Sequence, residues 1–284
     1  MRDKLIFSPW LSLAPAMTIV LVLLGASLFY AIAESLGIIS VIGQNEITLS
    51  SYRDTLNLHS EFWTSLGFSL WVSIASTLIS STVALLLAVW LSEHRGNTAT
   101  LALNWNLAFP HLVWSVALLL FLSQSGLLAR WAAMIGLIST PADFPVLVRD
   151  RLGIGIILSY MGKEIPFLTL INLAVLRSQS IGYDVVAENL GANHWQRLRY
   201  VTIPQVLPAL LAGALLVFGF IFSSYEVPAL LGIGYPRALP VLALRFFLDA
   251  DLRARSEGMV ISLLITFIVM VVAVISLRMG ERKE

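Results

Sequence analysis

The chain has no cysteine, so it carries no disulfide framework, no thiolate nucleophile and no cysteine-based zinc or iron–sulfur site. Charge is nearly as scarce. Only 12% of the 284 residues are Asp, Glu, Lys or Arg, about half the roughly 25% of a soluble domain. So few charges cannot clothe a water-facing surface, and 58% hydrophobic residues with a mean hydropathy of +0.85 assign most of the chain to lipid or to its own helices. Nor does either sign of charge dominate: 18 Lys plus Arg stand against 17 Asp plus Glu. That balance excludes nucleic acid as a partner, because phosphate backbones are bound through a clear basic excess. Nucleotide and hydrolase motifs are also missing. There is no Gly-x-x-x-x-Gly-Lys-Ser/Thr loop, no His-Glu-x-x-His and no Gly-x-Ser-x-Gly. Gly162-Lys163-Glu164 lacks the glycine loop that would have to precede it, and His59, His94, His111 and His194 are scattered singly, with no grouping that suggests a metal site. The chain is therefore read as non-catalytic, with no cofactor of its own.

What is present is long uncharged sequence. A helix crossing about 30 Å of hydrocarbon needs about 20 apolar residues. Stretches free of charge meet that length at 11–33, 62–92, 96–129, 200–225 and 258–277. The third is too long for one span and is trimmed to 103–122, because Ser123-Gln124-Ser125-Gly126 makes a polar break. A sixth stretch, 152–176, spans despite Lys163 and Glu164 at its middle. The expected fold is all-α, a polytopic membrane protein with six transmembrane helices, since β-barrel strands would be about 10 residues with strict alternation. Arg2 and Lys4 ahead of the first run, with Ala31-Ile32-Ala33 after it, imitate a secretory signal. The run is longer than the about 7 to 15 residues of a signal core, so it is kept as an anchor. Trp10, Trp63, Trp90, Trp105 and Trp131 fall near span ends, where amphipathic rings sit at headgroup level. With the N-terminus inside, nine Lys and Arg lie inside and eight outside, which orients nothing. The basic ends, Arg2 with Lys4 and Arg282 with Lys283, lean towards cytoplasmic termini.

One polar stretch, 177–208, has helical character and ordered punctuation. Asp184 is placed as the N-cap of a short helix running to Leu190, Gly191 supplies a positive φ at its end, and Asn193 caps the next segment. Two short helices joined at a glycine would form a compact elbow. Leu190, His194, Leu198 and Val201 recur at helical spacing and would share an apolar side.

These residues resemble the membrane-spanning permease subunits of binding-protein-dependent ABC importers. That family's signature runs Glu-Ala-Ala, three residues, Gly, nine residues, Ile, one residue, Leu-Pro. Ala187, Gly191, Val201, Ile203 and Pro204 fall at the corresponding spacing, while Val185-Val186 replace the leading Glu-Ala and Asp184 and Glu188 flank it. The resemblance implies a type I permease fold within a single domain, 1–284. It also implies that 177–208 is the cytoplasmic coupling helix, with Asp184, Ala187, Glu188, Gly191, Ala192, Trp195, Arg197 and Pro204 contacting an ATP-binding subunit. Two such subunits, holding ATP and Mg, would be partners, with a second permease subunit, an extracytoplasmic solute-binding protein and the lipid bilayer. The setting would be a bacterial inner membrane, with both termini cytoplasmic. The outer loops, 34–61, 123–151 and 232–257, would offer docking surface for the binding protein.

Lys163 and Glu164 near mid-span are costly, at about 2.5 kcal/mol or more each. Adjacent on a helix they point about 100° apart, so each needs a partner from another helix. Glu226, beside Ser223, Ser224 and Tyr225, could meet Lys163 or line the passage. Two readings stay open: these six residues border a translocation path, or they form structural pairs. Pro110, Pro166 and Pro228 interrupt or end spans. The Phe109-Pro110-His111 and 163–167 stretches look like permeases for thiamine, polyamines, ferric iron or aminoethylphosphonate. A secondary transporter would show paired broken helices in two related halves, and no such repeat is seen. A non-transporting scaffold would have no need of the elbow.

Overall fold

The structure is a computed structural model and describes residues 9–38, 46–57, 60–93 and 97–281. Arg2, Lys4, His94, Arg95, Arg282 and Lys283 lie outside the described residues, as do the side chains of Trp10 and Asp184. All regular elements among the described residues are helices, and six are long and apolar enough to cross a membrane. The chain divides into two compact units, residues 1–60 with 243–264, and residues 61–242 with 265–284.

The first unit contains α1 (Pro9–Ser35) and the short α2 (Ser50–Thr55). The 18-residue apolar core of α1 buries nothing against the chain; only its end is fixed. There Glu34, 2% exposed, forms an ion pair with Arg255 at 3.1 Å, whose guanidinium lies 4.5 Å from the centre of the Phe247 ring. Ser35 shares a hydrogen bond with the Tyr52 hydroxyl at 3.0 Å. A polar cavity of about 380 Å³ is lined by Thr48, Ser51, Asp54, Asp251, Arg253 and Glu257, among others.

The second unit is built on α3 (Glu61–Glu93), α4 (Asn97–Leu107), α5 (His111–Leu122), α6 (Leu127–Met134), α7 (Ile154–Asn189), α8 (His194–Arg197), α9 (Ile203–Ser223) and α10 (Glu226–Leu231). Two further helices, α11 (Leu239–Phe247) and α12 (Ala254–Glu281), continue the chain between the units. Lipid supplies no hydrophobic drive for helix association, so close packing depends on small side chains. On α3, Ser65, Ser69, Ser73, Ser76, Ser80, Ala84 and Ala88 recur every three or four residues and are all buried. Phe68 and Val72 of α3, Ile156, Tyr160 and Leu168 of α7, and Val217 and Ile221 of α9 form the main core.

Two expectations need correction. The third span is not one helix over 103–122: α4 ends at Leu107, Pro110 stands extended at the N-cap of α5 with φ −60° and ψ 148°, and α6 follows the polar break. Proline cannot donate to the carbonyl four residues back and its ring crowds that carbonyl, so the helix stops and restarts. Nor does Asp184 begin a short helix. It lies inside α7, which runs unbroken for 36 residues, about 54 Å at about 1.5 Å per residue. That exceeds the hydrocarbon core by several turns.

Candidate functional site

The elbow is where α7 stops. Ala192 N–H donates to the Ala187 carbonyl at 3.0 Å and Gly191 N–H to Glu188 at 2.9 Å, the paired bonds of a Schellman ending. Gly191 takes φ +82°, a conformation that costs other residues a Cβ clash with the backbone. Asn193 then caps α8: its side chain accepts from Gln196 N–H at 2.9 Å, and the Gln196 side chain accepts from Asn193 N–H at 2.8 Å. Beyond α8 the helix continues through a π turn, Leu198–Thr202, into α9. The widening has a cause in the sequence. Pro204 lacks the N–H that would bond Tyr200, and Ile203 N–H reaches back five residues to Leu198 instead.

Glu188 and Arg197 face each other across the corner at 3.1 Å and bind its two arms together. Around them stand side chains that nothing in the chain covers. Leu190 is 82% exposed and Trp195 76%, with Tyr183, Val185, Val186 and Tyr200 also exposed. Leu190 lies in the turn itself, not on a helical face shared with Leu198 and Val201. Ala187 and Ala192 are half-buried inside the corner, and Pro204 is exposed in the first turn of α9.

The second candidate region is the middle of α7. Pro166 has no N–H for the Gly162 carbonyl four residues earlier, and Asn106 of α4 supplies one through its side-chain amide at 2.9 Å. Pro110 deprives the Asn106 carbonyl of its helical donor in the same way, which leaves it a longer bond from the Phe109 N–H at 3.3 Å. Lys163 supplies the missing donor, its ammonium bonding Asn106 O and Phe109 O at 2.6 Å each. The two prolines thus free one carbonyl on each side, and each side repairs the other. Trp114 donates its indole N–H to Ser159 O at 3.1 Å and packs so closely on Gly162 that a Cβ there would lie 2.6 Å from the ring. Ser115 and Ser159 hydroxyls are 2.8 Å apart.

Glu164 meets His111 instead, Oε1 to Nε2 at 3.1 Å, and His111 stands 4.9 Å from the Phe220 ring centre. This pair opens on a cavity of about 260 Å³ walled by Leu107, Phe167, Leu216, Val217 and Phe220. Lys163 and Glu164 are both within it. Ser223, Ser224, Tyr225 and Glu226 are not: Ser223 bonds back to the Gly219 carbonyl, Ser224 ends α9, and Tyr225 and Glu226 are exposed at the start of α10. The suggested meeting of Glu226 with Lys163 does not occur. Asn106, His111 and Trp114 did not stand out in the sequence as site residues. A signal existed for Asn106, which lies four residues before Pro110 as Gly162 does before Pro166.

Six helices long and apolar enough to cross a membrane, with an overlong α7 turned back at a capped glycine, define a polytopic helical membrane protein. The comparisons make this specific. The family described as the binding-protein-dependent transport system inner membrane component matches residues 146–282. The chain is 30% identical over 233 residues to the probable ABC transporter permease protein y4oQ of Sinorhizobium fredii, covering 78% of this chain and 72% of that protein. It is 29% identical over 204 residues to the inner membrane ABC transporter permease protein YnjC of Escherichia coli, covering 68% of this chain but 38% of that longer protein. In solved structures it resembles a chain of a bacterial ABC transporter involved in import of the acidic polysaccharide alginate, with TM-score 0.77, 18% identity and coverage of 96% and 95%. At that identity the likeness concerns the fold. The chain belongs to the family of binding-protein-dependent ABC transporter permeases.

Proposed function

We propose that this chain is a permease subunit of an ATP-driven importer, passing a small polar solute delivered by a solute-binding protein. The observation that supports this best is the elbow at Gly191, a rigidly capped corner whose Leu190 and Trp195 are left bare. An apolar surface of this kind, standing beyond the span, suits the groove of a separate ATP-binding subunit. That partner would hold ATP and Mg, and its closure would push α7 and α9 directly, because both arms of the elbow are continuous with helices of the core. Such a role puts the elbow in the cytoplasm, and six spans then put both termini there. Two ATP-binding subunits and a second permease would complete the path, which alternates its access as the permeases rock.

The polar cavity of the first unit is a natural surface for the binding protein. Relatives carry names for different solutes, sulfate in one and alginate in a solved complex with a pentasaccharide-bound periplasmic protein. Those names point to no single solute for this chain, and the thiamine, polyamine, ferric iron and aminoethylphosphonate classes remain the solutes to try first. The test is purification of the chain from its native membrane. A co-purifying ATP-binding subunit, lost when Leu190 and Trp195 are both changed to Ser, is the expected result; an unaltered complex would refute the elbow's role.

A further inference from the structure

We infer that Lys163 is a positioning residue of the α4–α5 break, not a ligand of the passing solute. Lys163 is 2% exposed, and two of its three N–H groups are held at 2.6 Å by the Asn106 and Phe109 carbonyls at the break. The charge serves the ends of those peptide dipoles. His111 is different: 31% of its side chain is exposed, and it is the first residue of α5. Its placement follows directly from the geometry of the break. One turn further, Trp114 and Ser115 lock α5 to Ser159, so the segment from 106 to 115 is fixed against α7 along its whole length. Were α4 and α5 one straight helix, the imidazole would leave Glu164.

The bearing on transport rests on the permease reading proposed above, but the joint can be read without ATPase or solute, so the two can fail separately. The chain has no cysteine, and Ser115→Cys with Ser159→Cys would place two thiols where hydroxyls now stand 2.8 Å apart. In membranes holding the full chain, copper-phenanthroline should cross-link this pair rapidly. Adding Lys163→Met removes the donors and should slow cross-linking by about tenfold or more, the worth of a charged hydrogen bond. Lys163→Gln keeps two N–H donors without charge and should stay within about threefold of the parent, the scale of a neutral hydrogen bond. Lys163→Met with Pro110→Ala restores an N–H to the Asn106 carbonyl; the chain should accumulate normally yet cross-link slowly, because the helix no longer breaks. Parent-like cross-linking in Lys163→Met or in the double variant would overturn the inference. So would a Gln variant that cross-links at least tenfold more slowly than the parent, and that variant decides alone if the Met variant fails to accumulate.

Discussion

Replacing Gly191 separates the shape of the elbow from the surface it carries. Its φ is +82°, and a Cβ built there meets nothing within 4 Å. The cost of a side chain is therefore backbone strain alone, roughly 1–2 kcal/mol for an L-residue in the left-handed region. That corresponds to roughly a 5- to 30-fold loss of the native corner. Valine should reach the upper end, alanine the lower, and asparagine, which visits this region at little cost, should stay near glycine. Gly182 serves as control. It lies inside α7 with equally open space around it, so alanine there should stabilise the helix by roughly 0.5–1 kcal/mol. The assay is a binding titration of the detergent-solubilised chain with its ATP-binding subunit. Affinity should fall in the order Gly, Asn, Ala, Val at 191 and be unchanged or improved at 182. If Asn weakens binding as much as Val, strain is not the cause; if Val binds as the parent does, the corner's geometry does not matter to coupling.

Three other outcomes follow from the packing. Gly162→Ala forces a methyl to 2.6 Å from the Trp114 ring and should cost roughly 1–3 kcal/mol, read as a lowered unfolding temperature in detergent; an unchanged temperature would mean that the ring is free to move. Glu34→Ala leaves Arg255 uncompensated in a pair whose side chains are 2% and 19% exposed, a loss of about 3 kcal/mol at the lower end for buried pairs; Glu34→Leu with Arg255→Met should recover most of it, and a double variant as unstable as the single would contradict this. The Asp143 carboxylate accepts backbone N–H bonds from Thr140 and Ser139 at 2.8 and 2.9 Å, which hold its pKa below the ordinary carboxylate value. The turn's stabilisation is thus full above that ordinary value and is lost as pH falls through the depressed one. Amide exchange at 139 and 140 should stay protected through the usual carboxylate range, and a loss of protection above it would refute the assignment.

The number of spans was legible because composition decides it, long apolar runs having no other home, but the bounds of the third were not: the expected 103–122 is broken at Pro110, and the apolar helix there runs from His111. The elbow was half legible. Gly191 and Asn193 announce the turn and the cap through backbone requirements only a few residue types meet, whereas the continuity of α7 through Asp184 was hidden, since an acidic residue on an exposed helix and one at an N-cap look alike in sequence. The partners of Lys163 were illegible for another reason. They are the backbone carbonyls of Asn106 and Phe109, a group every residue possesses, and of the two only Asn106 is marked in the sequence, by Pro110 four residues on. Glu164 found His111 from a helix 53 positions away in sequence, and nothing local to either residue encodes that contact.

The most direct test of the coupling role is a cross-link from the elbow itself. A photoreactive side chain at Trp195 should capture a separate polypeptide bearing a phosphate-binding loop, in intact membranes and in a nucleotide-dependent way, while one at Leu137, equally bare at 73% exposed but on the loop after α6, should not. Capture of no such polypeptide from Trp195, or equal capture from both positions, would contradict the account.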